Sequence, residues 1–219
     1  MSQQESIEQW IHELNNIDDG KMTQKQFKII EAAIEVFAEK GYAGSSTSEI
    51  AQKAGVAEGT IFRHYKTKKD LLLSIVSPMM SKLIAPFVIK NFKEVLESDY
   101  PTYEDFLYAL MINRLEFVRK HHKIIKIMLQ EIPFQPHLQA EFKQHIGTHI
   151  FQRLSEIAEH FKSKGEIIVL PTQELLRYTA SVMIGMIATR FLLMPDQPWD
   201  EEKEVRGTIR LIMNGISAK

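Results

Sequence analysis

A chain of 219 residues, 44% hydrophobic and 25% charged, has the composition of a folded globular protein with ample core for one large or two small domains. Its formal net charge of −1 excludes a global field that would draw it onto nucleic acid or an anionic membrane, so any nucleic-acid binding must come from a local patch. It has no cysteine, which excludes disulfides and thiolate metal or redox sites.

The first twenty residues, MSQQESIEQWIHELNNIDDG, contain no basic stretch followed by an apolar one, so no signal peptide is expected and a cytoplasmic location is. Ile7, Trp10, Ile11, Leu14 and Ile17 recur at helical spacing and predict a short amphipathic helix within an acidic N-terminal extension, 1–23. Phe27, Ile30, Ile34 and Phe37 form the next stripe, which Gly41 in EKGYAG ends. The hydroxyl cluster at 45–47 follows, and Thr47 or Ser48 is expected to cap a short helix that Gly55 stops. A third short helix is predicted over 58–65, and a longer one begins near Lys68.

Beyond Pro78 the helices lengthen. The pattern predicts helices over 103–121, 122–132, 136–164, 172–194 and 200–216, punctuated by Pro133, Pro136, Gly165, Pro171, Pro195 and Pro198. EIIVL, 166–170, is strand-like but short, and no stretch alternates long enough to argue a sheet. The most apolar run, 179–194, is interrupted by Arg190 and falls short of the ~18–20 apolar residues of a membrane span, so a buried helix is expected there. The predicted fold is all-α.

The stretch SEIAQKAGVAEGTIFRHYKTKKDLL, 48–72, has the layout of a helix–turn–helix, two short helices joined by a tight turn. Ile50 and Ala51 face inward, and Ala54 permits close helix approach. Gly55 supplies the left-handed turn residue, Val56 plugs the turn and Ile61 anchors the second helix. Glu58, Thr60, Phe62 and His64 are left more outward, and Gly59 allows close backbone approach. A second helix of this kind offers its first residues to the DNA major groove, with Lys66, Lys68 and Lys69 suited to phosphates. Residues 21–74 hold nine basic and six acidic side chains, a net +3, which leaves −4 for the rest.

Residues 32–72, with FAEKGY, TSEIAQKAGV and GTIFRHYKTKKDLL, resemble the N-terminal DNA-binding region of the tetracycline-repressor (TetR) family. The remaining two thirds resemble the family only in helical layout and length. The resemblance implies a three-helix head, 24–70, on a C-terminal ligand-binding and dimerisation bundle, 71–219. It implies that Thr47 touches a phosphate, that Glu58, Gly59, Thr60 and Phe62 face base edges, and that His64 and Lys68 contact the backbone. Tyr65 belongs at the edge of that interface or in the local core. Two departures stand out: Ala57 lies at the N-cap, where Ser or Thr is common, and Glu58 brings a negative charge to the groove, where it accepts from a cytosine amino group or lowers affinity.

The resemblance also implies a ligand cavity between the C-terminal helices. Phe106, Met111, Met128, Phe134, Met183 and Met186 are the expected lining, for a small, largely apolar effector. The body also holds Phe87, Phe92, Phe117 and Phe191, most such residues being core. Arg114, His121 and Arg190 are candidates to orient a polar end, surface ion pairing being their plainer use. The last two helices are apolar on several sides and carry small residues, so pairing with their copies in a homodimer is expected. His145 and His149, with Glu141 one turn before, have metal-chelating spacing, but a polar helix face explains them and no metal is expected. No HExxH, P-loop or GxSxG motif is present, so neither a cofactor nor enzymatic activity is expected. The expected function is a regulator, a repressor released from a palindromic operator by its ligand. The competing expectation is a small-molecule or metal sensor with a degenerate head.

Overall fold

The computed structural model describes residues 22–78, 80, 95, 97–144 and 148–216. The expected N-terminal helix, Phe87, Phe92, His145 and the His149 side chain lie outside the described residues. In chain order the helices are α1 (Gln24–Gly44), α2 (Thr47–Ala54), α3 (Glu58–His64), α4 (Lys68–Pro78), α5 (Tyr103–Lys120), α6 (His122–Glu131), α7 (Pro136–Phe142), α8 (Thr148–Ser163), α9 (Thr172–Ala188) and α10 (Glu201–Ile216). A 3-10 turn (Ile132–Phe134) follows α6, and a π turn (Thr189–Leu193) extends α9. No β-strand occurs among the described residues, and EIIVL is extended chain with an isolated bridge at Ile167. The predicted helix over 136–164 falls on α7 and α8, with residues 145–147 between them outside the described residues.

Two compact units are formed, Met1–Pro86 with Lys120–Ile146, and Phe87–Arg119 with Gly147–Lys219. The unit holding the head also takes in α6 and α7.

In the first unit α1 opens with a capping box. The Thr23 hydroxyl accepts from the Gln26 N–H, and the Thr23 N–H donates to the Gln26 side chain at 2.9 Å. The helix buries Ile29, Ile30, Ala32, Ala33, Ile34, Val36, Phe37 and Ala38, a face wider than one stripe, because α2, α4 and α6 all pack on it. Gly41 leaves the helical path at φ 73°, which a residue with a Cβ adopts only at a cost. The cap of α2 is Ser46, whose hydroxyl accepts from the Glu49 N–H at 3.2 Å. Thr47, one of the expected caps, is the first helical residue instead. Gly55 ends α2 in the left-handed region at φ 66°. Leu71, Leu72, Ile75 and Val76 of α4, Ile124, Ile127 and Met128 of α6 and Leu138 of α7 complete the core.

In the second unit Tyr103, Phe106, Leu107, Leu110 and Met111 of α5 are buried, as are Phe161 of α8 and Leu175 and Met183 of α9. Tyr103 meets Phe106 at 5.8 Å and Phe161 at 5.4 Å between ring centroids. Its backbone N–H donates to Glu166 at 2.7 Å, so a carboxylate 63 residues away closes the start of α5. Lys162 ties α8 to the following loop by donating to the Leu170 carbonyl at 2.6 Å and the Thr172 hydroxyl at 2.7 Å. The run 179–194, expected to be a buried helix, overlaps the stretch 172–193 and is mostly not buried within one chain. By length and composition that stretch suffices to cross a membrane, yet only 22% of its most apolar window is buried within the chain.

Candidate nucleic-acid interface

The head is built by local chemistry that leaves one short helix outermost. Ile50, Ala51 and Ala54 of α2 and Ile61 of α3 are buried, and the Val56 N–H donates to the Ala51 carbonyl at 3.0 Å, closing the turn at Gly55. The small side chains of Ala51 and Ala54 let the two helices approach, and α3 is held by Ile61 while its other faces stay open. Glu58, Gly59, Phe62, Arg63 and His64 are exposed, and Thr60 is half-buried. Phe62 stands 47% exposed, an apolar ring on a polar surface. Ala57 provides no side-chain cap, and the first turn of α3 rests on the Thr60 N–H donating to the Ala57 carbonyl at 2.8 Å.

Three expected contacts have partners within the chain. The Thr47 hydroxyl donates to Glu58 Oε1 at 2.6 Å, linking α2 to the start of α3. The Lys68 ammonium donates to the carbonyls of Tyr42 at 2.7 Å and Ser45 at 2.8 Å, and lies 4.4 Å from the Tyr42 ring centroid. It thereby closes the end of α1, leaving at most one N–H for a phosphate. Tyr65 is half-buried, and burial raises its hydroxyl pKa against a hydrogen bond with Ser74 that lowers it. Ser45 and Tyr42 were not singled out from the sequence. The S-x-x-E spacing of Ser46 and Glu49 does carry a capping signal that identifies Ser46.

The charge surplus of the head is distributed unevenly. Lys40 pairs with Glu49, and Lys53 lies 2.8 Å from Glu35 and 3.8 Å from Glu39. The hydrogen bond with Glu35 raises the Lys53 pKa. Lys123 of α6 also approaches Glu35, at 3.8 Å. Arg63, Lys66 and Lys69 flank α3 on exposed positions. Lys40, Lys53 and Lys123 are thus offset by carboxylates, and exposed Arg63, Lys66 and Lys69 face solvent, as phosphate contacts require.

The expected ligand-lining residues divide between the units. Met128 and Phe134 belong to the first; Phe106, Met111, Met183 and Met186 belong to the second. Phe134 is 79% exposed on its 3-10 turn, unlike the covered ring expected, whereas Phe106 and Met111 are core. Met186 lines a cleft of about 430 Å³ between α9 and α10, with Tyr178, Val182, Trp199, Leu211 and Ile212. A second cavity, of about 240 Å³, lies between 97–100 and α8, lined by Tyr100, Arg153, His160 and Phe161 among others. Burial holds the Arg114 guanidinium down to about 10, and Arg190 donates to the Pro195 carbonyl at 2.6 Å. Exposed apolar residues gather on α9 and α10, with Tyr178 at 42%, Ile184 at 55% and Leu211 at 68%.

Residues 29–75 match the family of bacterial regulatory proteins, tetR family. Over 60 residues the chain is 48% identical to the fatty acid metabolism regulator protein of Bacillus subtilis (strain 168), a stretch covering 27% of this chain and 31% of that protein. It is 28% identical to the uncharacterized HTH-type transcriptional regulator YvkB of the same organism, over 87% of this chain and 96% of that one. Among solved structures, the transcriptional regulator FadR from Bacillus subtilis in complex with stearoyl-CoA is 25% identical, with a TM-score of 0.63 over 86% of this chain and 98% of that one. Residues 29–75 thus carry a tetR-type DNA-binding head, and the helical body that follows shares the layout of these regulators.

Proposed function

We propose that the protein is a homodimeric repressor, released from a palindromic operator when an apolar acyl chain, carried as a fatty acyl-CoA, binds its C-terminal body. The likeness to fatty-acid regulators in both the head and the whole length carries this reading. Two copies would join through the exposed seam of α9 and α10, burying Tyr178, Ile184 and Leu211. This accounts for an apolar helix uncovered within one chain without a membrane, and fits a cytoplasmic protein. A two-fold pair would set the reading helices about one DNA turn apart, ~34 Å.

The test is fluorescence anisotropy with duplex DNA from upstream of the protein's own gene, against a random duplex, over a salt series. Specific binding that weakens steeply with salt is the expected result. Stearoyl-CoA is then titrated, with coenzyme A as control. Release by the acylated compound supports the reading, and operator affinity unmoved by acyl-CoAs of any chain length overturns the ligand class.

A further inference from the structure

We infer that Glu58 reads a cytosine in the operator and that Thr47 is the positioning residue that aims it. The inference rests on the reading of the head as a DNA-binding module. Glu58 is the first residue of α3, exposed at the end of the helix that meets the groove. An exposed glutamate ordinarily samples many rotamers. Here the Thr47 hydroxyl, eleven residues earlier on α2, donates to Glu58 Oε1 at 2.6 Å. One carboxylate oxygen is tethered and the other remains to accept.

In the major groove a carboxylate finds two donors, the N4 amino group of cytosine and the N6 amino group of adenine. Adenine places its N7 acceptor beside N6, which repels a carboxylate, and guanine and thymine present acceptors at O6, N7 and O4. Cytosine has no acceptor beside its amino group at the groove edge. Glu58 therefore selects cytosine as much by rejecting the others as by its own bond. A threonine hydroxyl has one hydrogen. Given to Glu58, it is not available to a phosphate, so Thr47 serves specificity where the resemblance implies a backbone contact. Exposed Arg63, Lys66 and Lys69 offset the repulsion between Glu58 and the phosphates.

The experiment selects duplexes from a library with randomised half-sites, using the full-length protein and its Glu58→Ala, Glu58→Gln, Thr47→Val and Thr47→Ser variants. The wild type is expected to enrich cytosine at one position of each half-site, with a ~10-fold loss when that base is changed. Glu58→Ala abolishes the preference there only, and Glu58→Gln turns it toward adenine, which an amide reads through N6 and N7. Thr47→Val reduces the preference several-fold, and Thr47→Ser restores it. Circular dichroism confirms that each variant is folded. If Glu58→Ala strengthens binding to all duplexes equally and leaves the base preferences as they were, the carboxylate is only repulsive and the inference is overturned. If Thr47→Val weakens all duplexes equally and lowers the salt dependence, the hydroxyl serves a phosphate and the positioning role falls. Enrichment of nothing by the wild type removes the DNA-reading function itself.

Discussion

Lys68 shows how one side chain in a basic run also serves the fold. Read in KTKKD it is a phosphate ligand, yet its ammonium closes two carbonyls 23 and 26 residues earlier. Nothing local in the sequence names those carbonyls, because they are backbone groups brought close by the packing of α4 on α1. Hydrogen bonds to a charged group contribute about 1.5–3 kcal/mol each. Lys68→Met, which removes both bonds, should therefore lower unfolding free energy by about 3 kcal/mol or more in a urea titration, with little change in the salt dependence of DNA binding. Lys66→Met and Lys69→Met should do the reverse, leaving stability intact and each reducing the salt slope by about 1. His121 gives a second prediction. Burial, helped by Lys120, pushes its imidazole down to about 4 from an ordinary 6.5. Between those values the unfolded chain takes up a proton that the folded one refuses. Its contribution is intact above about 6.5 and declines as pH falls toward 4. His121→Gln should flatten stability against pH over that window, and an unchanged slope would assign the acid sensitivity elsewhere.

Helix α3 is the least supported element of the head, seven residues long, with one buried side chain and no side-chain cap. Ala57→Ser supplies the missing acceptor and should add about 0.5–1 kcal/mol to stability, read as a rise in the urea midpoint at constant slope. The helices of the head were legible because their punctuation is local, with Gly41, Gly55 and the S-x-x-E of Ser46 and Glu49 marking ends that depend on one or two backbone angles. The capping residue itself was misplaced by one or two positions, since Ser46, Thr47 and Ser48 offer the same chemistry and, of these three, only Ser46 precedes the helix with an extended backbone. Farther on, periodicity identified helices but not their neighbours. Phe134 and Phe106 are both aromatic residues in apolar stretches. The 3-10 turn after α6 exposes the first, while Tyr100 and Tyr103 enclose the second.

Composition misled most where burial depends on a partner. The α9 stretch is apolar enough to be a core helix, but in one chain its Ile184 and, on α10, Leu211 meet solvent. If they form the seam between copies, a charge placed there is left buried and unpaired on association. Ile184→Glu and Leu211→Glu should each halve the mass found by light scattering at micromolar concentration and weaken operator binding. A dimer of unchanged mass in both variants would move the interface to another surface.

The association of α6 and α7 with the head bears on how such proteins can be rebuilt. Ile124, Ile127, Met128 and Leu138 share a core with the residues of α1 and α4. A chimera that exchanged only the first eighty residues for those of a relative would cut through that core and strand apolar surface on both sides of the splice. Transplanting the reading specificity of this chain calls for two grafts, one running through α4 and one spanning 120–146, joined by the recipient's own intervening segment.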